Sequence, residues 1–406
     1  MYGIKWTDNR MPRGGGKLEI MSLRNVEAAR SFHESFPQYK ETPLAVLDGL
    51  AGFLGVGKLC VKDESYRFGL NAFKVLGGSF AMARYVSKIT GRPVEELGYG
   101  ELTSGGLKEE TGEITFFSAT DGNHGRGVAW AAKMLGQKSV IMMPKGSQAA
   151  RFENIRAEGA LTTIEELNYD DCVRKAAKAA SETPGGVLIQ DTAWEGYEEI
   201  PSWIMQGYGT MAMEAGEQFE RSAGAAPTHV FVQAGVGSLA GAVVGYFSNK
   251  YLKDTPVFVV VESDQADCLY RSACAGDGEI RTVGGDMKTI MAGLACGEPS
   301  ITSWQILKDK VAAFASLPDR VAADGMRILG APLPGDPRVI SGESGAAPLG
   351  FLYALMRGGE LATLREKLKI GKDSRVLLFS TEGATDPENY RKVVWEGTCG
   401  SREDKA

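Results

Sequence analysis

Between residues 116 and 190, three short apolar runs are each followed by a helical stretch. Phe116 to Ala119 reads as a strand and Gly125 to Leu135 as an Ala-rich helix. Ser139 to Pro144 is the next strand and Ala149 to Glu158 the next helix. Leu161 to Ile164 is followed by a helix over Tyr169 to Ser181, and Val187 to Gln190 is a further strand. Strands and helices that alternate in this way can bury both their apolar faces only in a parallel, doubly wound sheet. The pattern resumes with His229 to Gln233, Val257 to Val261 and Val376 to Ser380. Their unbroken apolar character, rich in β-branched residues, predicts strands covered on both faces. Leu97 to Glu113, rich in Gly, Glu and Thr, reads as a loop-rich connection. With 406 residues, the chain is long enough for two core-forming domains.

The formal net charge is −6 and no long basic run occurs, which argues against nucleic acid as a partner. Val230 to Phe247 is nearly all apolar and approaches membrane-spanning length. Gln233 and the glycines at 235, 237, 241 and 245 fit a buried strand, a loop and a buried helix instead, so no membrane span is expected. The segment Met1 to Asp8 lacks the apolar core of a secretory leader. Six cysteines without a C-x-x-C pair, and only three histidines, predict neither a zinc site nor any other metal centre. A reduced, cytoplasmic setting is expected. Cys268 and Cys296 flank a Gly-rich segment and could approach each other; buried free thiols are the favoured reading.

Several segments could carry chemistry. Lys74 lies between Phe73 and the pair Gly77-Gly78. Apolar neighbours would desolvate its ammonium and lower its pKa, and a partly neutral lysine can form a Schiff base. Thr120-Asp121-Gly122-Asn123-His124-Gly125-Arg126-Gly127 follows a strand and opens a helix, the place where open α/β sheets bind ligands. A helix-capping turn is the competing reading, but the segment holds more glycine and polar residues than a cap needs. Gly235-Val236-Gly237-Ser238-Leu239-Ala240-Gly241 also joins a strand to a helix, and its N–H groups could cradle a phosphate. A dinucleotide reading competes there, because Gly235, Gly237 and Ala240 have the G-x-G-x-x-A spacing and Glu262 follows the next strand. Asp191, at another strand end, suits an acid/base role and a helix cap equally. Gly342 to Ala346 has the same strand-end or loop character. So does Phe379 to Gly383, where a hydroxyl at Ser380 or Thr381 could meet a heterocycle nitrogen.

Taken in order, Ala72-Phe73-Lys74, Thr120 to His124 and Gly235 to Leu239 resemble the fold-type II pyridoxal phosphate family, the group of threonine dehydratase and tryptophan synthase β. The closer resemblance is to its diaminopropionate ammonia-lyase branch. It is carried by Lys62 to Ser65, Arg67 to Lys74, Thr120 to Trp130, Gln190 to Tyr197, Ile204 to Tyr208, Gly284 to Met287, Ile290 to Pro299 and Ile340 to Ala346. Leu76 and Asp121 depart from the dehydratases, which usually have Arg and a small residue there; both fit the diaminopropionate branch.

The resemblance implies two doubly wound open-sheet domains of tryptophan synthase β-like architecture. Residues 1–85 and 200–406 would form the larger, cofactor-binding domain, with a smaller α/β domain of residues 86–199 inserted. Lys74 would hold pyridoxal 5'-phosphate as a Schiff base, with Phe73 beside it and Asn123 on the phenolic oxygen. Gly235, Val236, Gly237, Ser238 and Leu239 would bind the phosphate, and Thr381, or else Ser380, the pyridine nitrogen. The implied reaction is α,β-elimination of D- and L-diaminopropionate to pyruvate and ammonia. Lys74 would serve one enantiomer and Asp121 the other, the D form, with Asp191 supporting Asp121 or binding the distal ammonium. A homodimer acting on a small amino acid is implied as well. Other readings are a serine or threonine ammonia-lyase of the same fold, a nicotinamide-dependent oxidoreductase, and a cofactor-free binding protein.

Overall fold

The computed structural model describes residues 2–11 and 18–400. Met1, at the head of the segment read for a leader, lies outside them. Among the described residues eleven strands occur in chain order: β1 (Lys5–Asp8), β2 (Leu44–Val46), β3 (Lys58–Asp63), β4 (Thr115–Ala119), β5 (Lys138–Met143), β6 (Leu161–Ile164), β7 (Gly186–Leu188), β8 (His229–Gln233), β9 (Val257–Ser263), β10 (Val311–Leu317) and β11 (Arg375–Ser380). They form two sheets. The larger has the order β1-β10-β9-β8-β11-β3-β2 and the smaller β6-β5-β4-β7. The smaller sheet is wholly parallel. In the larger sheet the five central strands are parallel, and β1 and β2 add antiparallel edges.

The β-branched runs behave as their composition predicts. Every residue of β8 is buried, as are nearly all of β9 and β11. The long apolar stretch after residue 229 divides into β8 and the helix Ser238–Lys250. Among the described residues no helix is long and apolar enough to cross a membrane. Leu97 to Glu113 is less irregular than expected, for it holds two short helices, Tyr99–Leu102 and Gly105–Thr111. The second ends at Gly112, whose φ of 70° needs no Cβ-bearing residue's strain.

β3 carries charge into the core. Lys62 is fully buried, and its Nζ donates to Glu214 Oε2 and the Thr42 carbonyl at 2.7 Å each and to Gln218 Oε1 at 2.8 Å. Arg67 donates to both oxygens of Glu214, at 2.9 and 2.7 Å. Burial opposes the Glu214 charge, but the two cations prevail and hold it down to about 2. Charges this deep persist only when each is paired and hydrogen-bonded.

Beyond that anchor the backbone turns sharply. Phe68 has φ 48° and Asn71 φ 61°, both in the left-handed region that side chains disfavour. The Phe68 ring is held by stacking on Trp130, centroids 5.4 Å apart. The Asn71 carbonyl accepts from Gly383 N at 3.0 Å, and Phe73 N donates to the Thr381 carbonyl at 3.1 Å. These bonds lay the approach to Lys74 along the end of β11.

Candidate active site

Lys74 stands at the head of the helix Val75–Thr90, packed closely against the helix Glu199–Ala223. A Cβ on Gly207 would lie 2.3 Å from the Leu76 carbonyl oxygen, so the approach depends on that glycine. Lys74 Nζ donates to Asp191 Oδ2 just past β7, and Tyr208 Oη donates to the same oxygen at 3.2 Å. Nζ also lies 5.6 Å from the Phe73 ring centroid and 5.7 Å from that of Tyr208.

The aromatic setting was expected to lower the pKa of Lys74, and the outcome is the reverse. Burial does oppose the charge, but the Asp191 carboxylate outweighs it and raises Lys74 above the ordinary lysine value. Asp191 is likewise penalised by burial, yet Lys74 and His124 bring it down to about 2. Apolar residues alone leave a carboxylate partner out of account, and sequence spacing gave no sign that residues 74 and 191 would meet. Asp191 caps no helix; it is the partner of the amine.

The loop after β8 has the form of an anion cradle. Gly237 has φ 101°, and a Cβ there would lie 2.7 Å from Ser303 Oγ. The N–H groups of the first helical turn, from Ser238 to Ala240, find no backbone carbonyl among the described residues. The helix terminus adds positive potential at that point. Ser238 Oγ is turned back to the Asp191 carbonyl, which ties the cradle to the acid that holds Lys74. Cys296 Sγ lies under the same loop, 3.2 Å from where a Gly235 Cβ would be. Burial above all raises its pKa well above that of a free thiol. Cys268 and Cys296 are both free and buried, with Cys268 Sγ 3.7 Å from the Cys296 carbonyl oxygen.

The dinucleotide reading required Glu262 to reach a ribose. Instead Glu262 is fully buried and caps the helix Cys268–Ala275, accepting from Leu269 N at 2.9 Å and Tyr270 N at 2.6 Å. No carboxylate oxygen remains for a sugar.

The other expected residues stand as follows. Asn123 Nδ2 donates to Glu382 Oε2. Thr381 Oγ1 accepts from Gln233 Nε2 at 2.8 Å, and Ser380 Oγ donates to Ser341 Oγ at 2.8 Å. Asp121 Oδ2 accepts from Arg151 Nη1 at 2.9 Å. His124 Nε2 meets the Ile189 carbonyl at 2.9 Å, while its buried Nδ1 has no partner among the described residues. Asp121 Oδ2 lies 3.9 Å, and the unpartnered Ser344 Oγ 3.0 Å, from where a Gly293 Cβ would be. Arg151 lies in none of the segments named for their chemistry, and Tyr208, Glu382 and Ser344 lie in named segments without a role of their own. Tyr208 lies in a helix interior, at the end of a segment that carries the resemblance, and Arg151 lies on what reads as an ordinary surface helix with no local motif.

An amine, a glycine-lined anion cradle, an amide and a hydroxyl at strand ends form a donor set suited to pyridoxal phosphate, whose aldehyde, phosphate, phenolic oxygen and ring nitrogen need those partners. The sequence pattern of the family "Pyridoxal-phosphate dependent enzyme" matches residues 36–382. The chain is 50% identical over 398 residues to the diaminopropionate ammonia-lyase of Salmonella typhimurium, covering 97% of this chain and 98% of that protein. Its structure is similar to the crystal structure of the Escherichia coli diaminopropionate ammonia lyase in complex with D-serine, with a TM-score of 0.90, 48% identity and 98% of each chain covered. The same E. coli enzyme in complex with an aminoacrylate-PLP azomethine reaction intermediate gives a TM-score of 0.90 at 47% identity, covering 98% of this chain and 99% of that one. The chain belongs to the pyridoxal-phosphate dependent enzyme family, in its diaminopropionate ammonia-lyase branch.

Proposed function

We propose that this chain is a carbon–nitrogen lyase that converts 2,3-diaminopropionate, D and L, to pyruvate and two ammonia, with one water consumed. The observation that carries this reading is 50% identity over 97% of the chain to an enzyme of that name. The lysine–aspartate pair beside the glycine cradle supports it. Pyridoxal phosphate, once bound, supplies an electron sink for the carbanion left when the Cα–H bond breaks.

In this reading Lys74 Nζ holds the cofactor's aldehyde carbon, and residues 235–239 hold its phosphate. Asn123 meets the phenolic oxygen and Thr381, or Ser380, the ring nitrogen. A Lys74 amine released by substrate accepts the Cα proton on its own side. Asp191 Oδ2 stabilises the ammonium so formed, and Tyr208 holds Asp191 in place. Asp121 works from the Thr120–Gly127 loop and accepts the Cα proton of the other enantiomer. Acidic groups here also suit a substrate that carries a second ammonium.

The larger domain comprises residues 1–85 and 200–406, and the smaller residues 86–199. Position 85 lies within the helix Val75–Thr90, whose C-cap is Gly91. A homodimer in the cytoplasm completes the reading, and sedimentation of the purified protein checks the dimer.

The test is direct. Purified protein should show a visible absorbance band that borohydride bleaches, with the reduced cofactor attached to the Lys74 peptide by mass spectrometry. Pyruvate and ammonia should form from either enantiomer of diaminopropionate far faster than from serine or threonine. A protein that the cofactor fails to colour, or that prefers serine, overturns the reading.

A further inference from the structure

Arg151 lies on the helix Ala149–Ala157 and is 5% exposed. Its guanidinium spans two parts of the chain far apart in sequence. Nη1 donates to Asp121 Oδ2 at 2.9 Å; Nη2 donates to Thr385 Oγ1 at 3.4 Å and stands 3.9 Å from Glu343 Oε2. Space for the arginine stem is reserved by Gly122, where a Cβ would lie 2.8 Å from Arg151 Cδ. Asp121, Glu382, Glu343 and Asp386 are the charges that face it.

These carboxylates are not equally engaged. Glu343 Oε1 is taken by Asn389 Nδ2, and Glu382 accepts from Asn123 Nδ2 and from Ser344 N at 3.3 Å. Asp121 is bound through Oδ2 alone, and its Oδ1 accepts no hydrogen bond among the described residues. The Asp121 side chain is also 22% exposed, against 4% for Glu343. One oxygen is therefore pinned by a buried guanidinium while the other is left open. Among the described residues neither the Lys74 nor the Asp191 side chain is hydrogen-bonded to or ion-paired with Arg151; their side-chain partners are each other and Tyr208.

We propose that Arg151 is a positioning residue for Asp121, pinning Oδ2 so that Oδ1 serves one enantiomer of the substrate and leaving the Lys74 side untouched. This rests on the reading of Asp121 as the base for the D enantiomer. A planar guanidinium braced at Thr385 through Nη2 holds Asp121 Oδ2 at a fixed point through Nη1, and a lysine's compact ammonium does not span both partners. A carboxylate left to rotate loses the alignment on which proton transfer depends.

The test compares Arg151→Met, Arg151→Lys and Asp121→Asn, with kcat and KM measured separately on D- and L-diaminopropionate. Cofactor affinity of each protein is measured by fluorescence titration. Arg151→Met should lower kcat on the D enantiomer by roughly 10²-fold with little change on L, KM for L and cofactor affinity staying near wild type. Arg151→Lys should fall between the two, and it carries the comparison should the methionine variant not fold. Equal losses on both enantiomers, no loss on either, or a loss of cofactor affinity that accounts for the change would overturn the proposal. If Asp121→Asn is selective for D and the Arg151 variants are not, this inference fails alone. If Asp121→Asn is not selective, the reading of Asp121 fails and this inference with it.

Discussion

Lys74 Nζ and Asp191 Oδ2 form an ion pair, and the carboxylate rather than the aromatic walls decides the charge of the amine. On the proposed function the aspartate serves a lysine that takes a proton from carbon and has to be a good base when free. Replacing Asp191 by Asn removes the main charge that opposes burial and lowers the Lys74 pKa. Turnover of the enantiomer served by Lys74 should fall by roughly 10²- to 10⁴-fold, the usual size of a lost acid–base contribution. Cofactor loading should respond in the opposite sense, because a more neutral amine attacks the aldehyde more readily. Stopped-flow reconstitution of the cofactor-free variant at neutral pH should run at least as fast as wild type; slower loading together with unchanged turnover would refute the assignment.

The same pair sets a pH window for stability of the cofactor-free protein. Asp191 is held at about 2, below its ordinary 3.8, so its contribution is present above 3.8 and is lost as the pH falls toward about 2. Lys74 is raised above 10.5, so its contribution is complete below 10.5 and is lost as the pH rises through its folded value. Urea unfolding of the cofactor-free protein as a function of pH should show both limbs. Asp191→Asn should flatten the acid limb. An unaltered acid limb would mean that the pair contributes nothing to folding.

The fold was legible where composition carried it. β8, β9 and β11 are apolar runs that only a doubly covered sheet can hold, and the glycine loop after β8 has one conformational role. β3 was not legible, because Lys62 and Asp63 make its end look like surface; the compensating Glu214 comes 152 residues later. Position 62 shows that a buried charge is recognisable only from its partner. The site divides along the same line. Lys74, Asn123 and the glycine loop lie in local motifs that can be read directly from the sequence. The contacts of Asp191 with Lys74 and Tyr208, and of Arg151 with Asp121, depend on segments meeting across the sequence, and no local pattern announces those pairings.

Glu262 offers a test of burial without catalysis. Burial raises its pKa to about 8 although two backbone N–H groups favour the ionised form. A carboxyl raised on folding contributes stability that is complete below its ordinary 4.5 and is lost as the pH rises through about 8. Glu262→Gln keeps an acceptor for the helix N-terminus and removes the titration. The thermal midpoint of the wild type should decline from pH 6 to pH 9 relative to the variant, with the two curves converging toward the acid end. Parallel curves over that range would show that Glu262 stays ionised in the fold.

Gly207 ties packing to chemistry. A Cβ there would lie 2.3 Å from the Leu76 carbonyl oxygen and 2.9 Å from Gly77 Cα, so backbone has to move. The two helices involved begin at Lys74 and carry Tyr208, and a shift between them changes the separation of Lys74, Tyr208 and Asp191. Gly207→Ala should cost about 1–3 kcal/mol of stability, as overpacking does. It should also lower kcat on the enantiomer that Lys74 serves. Gly216, on the same helix, is the control: the three atoms nearest a Cβ there belong to side chains, the closest being Phe247 Cε1 at 3.2 Å. Alanine favours a helix interior over glycine by roughly 0.5–1 kcal/mol, so Gly216→Ala should be neutral or mildly stabilising with kcat unchanged. Denaturant unfolding and steady-state kinetics on both variants separate the outcomes. Equal behaviour of the two would show that the close approach at Gly207 positions nothing.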